Sequence, residues 1–238
     1  MKVIVTCEHG GNRIPEEYMK YFSRAENDLN SHMGFDKGAL EIYHILKGKF
    51  SDFSVFTDIS RLLADTNRIL TSKTLFSKYT KSLHDDIRKR ILEEYYYPYR
   101  ASVEKSLSYY TSQGENIVHI SVHTFTPILD NVIRKNDIGL LFDPENTPEK
   151  EFCMMWKKAI EKYHPGISVM FNYPYTGYKE GLTKYLREHF PERYAGIELE
   201  INQQIFENAA KKEVITEIIT VSLQESINSF CRSEIQTR

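Results

Sequence analysis

Two histidines in this 238-residue chain stand where short apolar runs end. Glu8-His9-Gly10-Gly11-Asn12-Arg13-Ile14-Pro15 follows the run at 2–7, and Val122-His123-Thr124-Phe125-Thr126-Pro127 closes the run at 117–122. An imidazole in such a place suits a metal ligand or a general base, and the paired glycines would let backbone approach a ligand. One histidine in a turn is ordinarily a polar loop residue. Two at the ends of strands of one sheet can converge.

Two further segments carry reactive groups. Ser60-Arg61-Leu62-Leu63-Ala64-Asp65-Thr66-Asn67-Arg68 follows the run at 53–58 and sets an Asp and an Asn between two arginines. Guanidinium forks bind carboxylates bidentately and stabilise developing oxyanions, so this loop suits an acidic substrate. A salt-bridged turn accounts for the same residues. Glu198-Leu199-Glu200 ends the run at 195–201, and alternation along a strand puts both acids on one side. A carboxylate held there in a dry cleft serves as a general base, its pKa tuned by its surroundings. The plainer reading is an edge strand with one solvated face.

The elements that must position these groups show in the hydrophobic pattern. β-Branched and aromatic runs at 2–7, 53–58, 117–122, 138–142, 167–171 and 195–201 read as strands. Between them, apolar residues recur three and four apart: Leu40, Tyr43, Ile45 and Leu46 after Gly38, then 76–112, 148–163, 179–189 and 209–231, all helical in spacing. The alternation predicts an α/β fold, a largely parallel or mixed central sheet with helices on both faces. Ligands of such sheets bind beyond the carboxyl ends of the strands.

Within 72–112, Pro98 is expected to divide a solvated helical hairpin. Arg88, Lys89 and Arg90 interleave there with Glu93 and Glu94, which argues against a nucleic-acid surface. His119 reads as a hydrogen-bonded core histidine.

Composition narrows the class. The chain is 41% hydrophobic and 27% charged, with 31 basic against 33 acidic side chains and a net charge of −2. No uniform basic field exists to attract phosphate backbones, so nucleic acid is not an expected partner. A chain this long buries roughly 70% of its unfolded surface and needs no disulfide or structural metal; one domain over 1–238 is expected. No run approaches the roughly 18 apolar residues of a membrane span, and the start is too short in apolar residues for a signal peptide, so a cytoplasmic protein without membrane contact is expected. Cys7, Cys153 and Cys231 lack CxxC spacing and read as small buried hydrophobes.

Taken in order, seven elements resemble the N-formylglutamate amidohydrolase family, related in arrangement to zinc carboxypeptidases and aspartoacylase-type deacylases. They are Glu8 to Pro15, Phe35-Asp36-Lys37-Gly38-Ala39, Ser60-Arg61 through Asp65-Thr66-Asn67-Arg68, His123-Thr124-Phe125-Thr126-Pro127, Asp137-Ile138-Gly139-Leu140-Leu141-Phe142, Asn172-Tyr173-Pro174-Tyr175-Thr176-Gly177 and Glu200-Ile201-Asn202. The likeness spans roughly 5 to 206.

It implies a zinc carboxypeptidase-like (phosphorylase/hydrolase-like) fold and a metal-dependent hydrolase that cleaves an N-formyl or N-acyl amino acid to a small acid and a free amino acid. By that resemblance His9 and His123 would bind one zinc ion, Glu200 would act as base and Arg61 would stabilise the oxyanion. Asn67 and Arg68 would hold the substrate carboxylate, loop 172–178 with Asn172 and Tyr175 would close over the substrate, and Arg134 would add positive potential. Where the wider group has a Glu three residues after the first His, this chain has Asn12, a poor zinc ligand. Asp36 and Glu8 are then the competing third ligands, and Asp36 fits a helix N-cap equally well. Two other functions stand beside this one: a peptidase or amidase acting on peptide or cell-wall fragments, and a non-catalytic metal or amino-acid binding protein.

Overall fold

The computed structural model describes residues 1–236, with side chains described through Arg232; residues 237 and 238 of the expected domain lie outside the described residues. The strands are β1 (Lys2–Cys7), β2 (Phe53–Phe56), β3 (Ile117–Phe125), β4 (Ile128–Leu129), β5 (Val132–Ile133), β6 (Ile138–Leu141), β7 (Val169–Phe171) and β8 (Tyr194–Asn202). The helices are α1 (Glu26–Leu29), α2 (Ala39–Phe50), α3 (Asp85–Ile91), α4 (Tyr97–Ser112), α5 (Thr147–Tyr163), α6 (Leu182–His189) and α7 (Ala209–Gln236).

Six strands form one sheet in the order β2-β1-β3-β8-β6-β7, with β4 and β5 as a separate hairpin. Neighbours in the large sheet run parallel except β8 and β6, so the fold is the mixed α/β class expected. All nine residues of β3 and all nine of β8 are buried. β8 is therefore an interior strand, not the half-wet edge that its two acids could also have signalled.

Period-two alternation explains how one sheet is both core and site. Val3, Val5 and Cys7 of β1, Val118, Ile120 and Val122 of β3, and Ala195, Ile197, Leu199 and Ile201 of β8 face α2, α5 and α7 in the main apolar core. On the opposite face, Ile4, Ile117 and Tyr194 pack under Val103 and Leu107 of α4 and Leu182 and Leu186 of α6. Toward the carboxyl ends this second face turns polar: the register sets His119 beside Gly196, Ser121 beside Glu198 and His123 beside Glu200. The apolar base anchors the strands, and the polar end is free for chemistry.

One expected element is corrected. Residues 72–84 form turns, and the chain is helical without interruption from Asp85 to Ser112, through α3, a π segment at Leu92–Tyr96 and α4. Pro98 stands in the first turn of α4, directly after the π segment. The widened π turn absorbs the missing N–H and the ring's clash with the preceding turn, so the proline does not divide the helix. Among the described residues, no helix is long and apolar enough to cross a membrane.

His119 is a core histidine, as expected. Its Nε2 is 2.7 Å from the Thr6 hydroxyl and its Nδ1 2.7 Å from the Tyr194 hydroxyl. Burial pushes its pKa down from 6.5 to about 4, so the unfolded chain binds a proton that the folded chain refuses. The stability this provides is complete above pH 6.5 and is lost as the pH falls toward 4. Over the same window Glu200, which burial pushes up to about 8, works in the opposite sense, because there it holds a proton only in the folded chain, so the two contributions offset each other in the stability of the whole protein.

Candidate active site

A cavity of about 290 Å³ opens at the carboxyl ends of β3 and β8, and His9, Asp36, Arg61, Asn67, Arg68, His123, Tyr175, Glu198 and Glu200 are among its lining residues. His9 arrives on the turn after β1. A Cβ on Gly10 would sit 2.9 Å from the Thr57 carbonyl oxygen, and one on Gly11 2.5 Å from that of Asp58. The two glycines thus let this turn pass against the segment leaving β2; they seat His9 rather than bring backbone to a ligand.

Both imidazoles are held from behind by carboxylates. His9 Nε2 lies 2.7 Å from Asp65 Oδ1. His123 Nε2 lies 3.2 Å from Glu8 Oε2 and 2.9 Å from the Ser121 hydroxyl. Their other nitrogens face Asp36: His123 Nδ1 is 2.9 Å and His9 Nδ1 3.4 Å from Asp36 Oδ2. His9 Nδ1 is buried and makes no hydrogen bond. One donor atom from each of His9, Asp36 and His123 lies within 4.8 Å of the others, all three residues being buried. Two imidazoles with carboxylates behind them, one carboxylate beside them and one buried nitrogen without a partner fit a divalent cation such as zinc.

Asp36 and Glu8, the two carboxylates weighed for the third position, are held in different places. The N-cap of α2 is Gly38, with no side-chain capping bond, so Asp36 does not cap the helix. Its backbone N–H donates to the His9 carbonyl at 2.9 Å, and its two oxygens face Arg61 and the histidines. Glu8 lies behind His123, on the far side of the ring from Asp36, and accepts from the Tyr99 hydroxyl at 2.8 Å and from the Ser121 hydroxyl. Asn12 donates to Asn30 at 2.9 Å, outside the cavity.

Charge follows from these contacts. Burial alone would raise Asp36, but the electrostatic pull of Arg61 and His9 and the hydrogen bond of His123 hold it well below the carboxylate range. Burial alone would lower His123; hydrogen bonds to Asp36 and Glu8 carry it well above the usual value. Burial pushes Glu200 up to about 8, partly opposed by His123. Glu200 Oε2 is buried without a hydrogen-bond partner.

The remaining expected residues divide. Arg61 and Arg68 line the cavity; Arg61 pairs with Asp36, and Arg68 Nε stands 3.8 Å from both Asp65 and Glu180. Asn67 also lines it, its amide oxygen accepting the Leu182 N–H at 2.7 Å, which leaves the NH₂ group to offer. Tyr175 is at the rim, and Arg134 lies behind it, donating to its hydroxyl at 3.0 Å without itself lining the cavity. Asn172 does not reach the cavity. With φ of 49°, its side-chain oxygen accepts the N–H groups of Phe142 at 3.1 Å and Gly177 at 3.0 Å, so it shapes the loop that carries Tyr175.

Sequence reasoning missed the outer carboxylate Asp65, the Ser121 and Tyr99 hydroxyls behind Glu8, and the pairing of Glu198 with Thr183. Asp65 had a usable signal. A ligating imidazole needs an acceptor on its other nitrogen, and Asp65 is an acid in a motif already singled out.

Known proteins resemble this chain in sequence and in fold. The N-formylglutamate amidohydrolase family model matches residues 1–206. A gene product of Agrobacterium tumefaciens has a similar structure, with TM-score 0.81, 24% identity and coverage of 96% of this chain and 91% of that one. N-formylglutamate amidohydrolase from Ralstonia eutropha gives TM-score 0.69 at 15% identity, covering 98% and 95%. A metallo-carboxypeptidase from Burkholderia cenocepacia is a more distant match, with TM-score 0.43, 12% identity and coverage of 98% and 57%. No curated protein matches the sequence. With most of its length matched by that one description, the chain belongs to the N-formylglutamate amidohydrolase family.

Proposed function

We propose that this protein is a metal-dependent amidohydrolase that cleaves the amide bond of an N-formyl or N-acyl amino acid, N-formylglutamate-like, into a small carboxylic acid and the free amino acid. The observation that carries the reading is a single cavity holding the His9–Asp36–His123 donor cluster, the unpartnered Glu200 Oε2 and the Arg61 guanidinium. Family membership and the fold shared with the Ralstonia enzyme support it.

His9 Nδ1, Asp36 and His123 Nδ1 would hold the cation, with zinc the expected occupant. A bound divalent cation supplies Lewis acidity toward the amide carbonyl and lowers the pKa of water toward about 7. Glu200 Oε2 takes the proton of the attacking water and returns it to the amine nitrogen as the C–N bond breaks. Arg61, steadied by Asp36, has donors left for the oxygen on which negative charge develops. The Asn67 amide and Arg68 hold the substrate carboxylate and fix the scissile bond over Glu200. Tyr175 covers the rim, backed by Arg134.

Activity is expected on N-formyl or other N-acyl amino acids, measured as release of free amine, and no turnover is expected on short peptides. Dialysis against a chelator is expected to abolish it, and added zinc to restore it. Turnover of peptides alone would replace the reading with a peptidase. Stoichiometric zinc without hydrolysis of any acyl amino acid would replace it with a binding protein.

A further inference from the structure

One face of α4 stands behind the cavity wall. Tyr96, Tyr99 and Arg100 are spaced i, i+3, i+4 and leave the helix on the same side. Tyr96 closes the π segment, and the other two lie in the first turn of α4. The Tyr99 hydroxyl donates to Glu8, the carboxylate behind His123. The Tyr96 hydroxyl donates to the Arg68 carbonyl at 2.7 Å, and Arg100 Nη1 donates to the carbonyls of Thr66 at 3.2 Å and Arg68 at 3.3 Å.

Arg100 is 4% exposed and does not line the cavity. Among the described residues no carboxylate lies within ion-pair distance of it; its guanidinium stands 4.2 Å from the Tyr185 ring centre and 5.3 Å from that of Tyr96. A cation kept from water costs free energy unless polar groups face it, and an aliphatic side chain would fill the same space. What the guanidinium adds is a pair of donors for two carbonyls of one turn.

That turn carries Asn67 and Arg68. Its first half has attachments of its own: Asp65 holds His9 and accepts the Asn67 N–H at 2.9 Å, and the Thr66 hydroxyl donates to the Glu8 carbonyl at 3.1 Å. The Arg68 end is held through the carbonyl that Tyr96 and Arg100 share. From there Arg68 enters the cavity with its Nε buried and without a hydrogen-bond partner.

We propose that Arg100 is a positioning residue for substrate binding: from outside the cavity it fixes the main chain of the Thr66–Arg68 turn, and with it the direction from which Arg68 meets the α-carboxylate of the substrate. The inference rests on the carboxylate role given to Asn67 and Arg68 above, and goes beyond it by tracing binding strength to a helix that does not touch substrate. The donor cluster and Glu200 do not depend on this contact, so its loss falls on KM and spares kcat.

The test measures kcat and KM of Arg100→Met, Arg100→Lys and Tyr96→Phe on N-formyl-L-glutamate and on its α-amide, with zinc content and Tm alongside. The wild type is expected to show a KM at least about tenfold higher for the α-amide, which offers Arg68 no charge. Arg100→Met is expected to raise KM for the acid by about 10–100-fold, with kcat within about threefold, zinc retained and KM for the amide nearly unchanged. Arg100→Lys keeps a charged donor and recovers part of the loss. Tyr96→Phe removes one bond to the same carbonyl without removing the ring, and gives a smaller rise in the same direction; it decides the matter if Arg100→Met does not fold. KM rising equally for acid and amide, or kcat falling with KM unmoved, overturns the inference and leaves the amidohydrolase reading standing, for Arg100 would then only seat α4. A wild type that does not distinguish acid from amide removes the carboxylate role of Arg68 and the inference with it, again sparing the hydrolysis. Turnover of no acyl amino acid overturns both.

Discussion

Glu200→Gln is expected to lower kcat by roughly 10²–10⁴-fold while leaving the fold and the metal content intact. The amide is isosteric with the acid, so packing on β8 survives, and Glu200 is not one of the three clustered donors. What disappears is the proton acceptor at the buried Oε2 position. A loss confined to a proton-transfer step lowers kcat and kcat/KM together and leaves KM nearly unchanged. Burial has already pushed Glu200 up to about 8, which makes it a stronger base than a solvated carboxylate once a neighbouring cation restores its ionisation. Retained turnover in a metal-replete Glu200→Gln protein would remove Glu200 from the chemistry.

His123→Ala is expected to abolish bound metal and turnover together, to below about one part in 10³ of wild type. His123 contributes one of three donors and also connects Asp36 to Glu8 and Ser121. Its deletion leaves two donors and removes one partner from each of two buried carboxylates, so stability falls as well. Asp65→Asn serves as the contrast. It weakens the acceptor behind His9 Nε2 but leaves all three donors in place, and is expected to weaken metal binding only 10–100-fold. Metal analysis by mass spectrometry after desalting measures both. Full metal occupancy in His123→Ala would sink the three-donor site.

The raised pKa of His123 adds a pH signature. Proton and cation compete for the same nitrogen, so metal binding releases protons and weakens as the pH falls.

Much of this was legible in the chain itself. Strand and helix positions followed from apolar periodicity, and β1, β6, α5 and β8 lie within a residue or two of their expected limits. Where the pattern failed, a local competitor won. Pro98 signals a break because propensity takes no account of a π turn, which changes which carbonyl the ring meets. Asn172 looked like a substrate contact because its motif surrounds the rim, yet a side chain at positive φ in a tight loop is occupied by nearby backbone N–H groups. The paired glycines looked like a ligand cradle, but glycine serves close backbone packing equally well, and spacing cannot tell which neighbour comes close.

By itself the sequence determined the α/β class and the residues able to do chemistry, because period-two and period-3.6 patterning and the placement of His, Arg and Glu at strand ends are local properties. Only the tertiary structure placed Asp36 beside the two histidines and supplied their outer partners. Whether Asp36 or Glu8 joins the histidines depends on how the 34–38 turn folds back on His9 and on which way Glu8 leaves the end of β1, and those directions are set by packing between segments far apart in the chain.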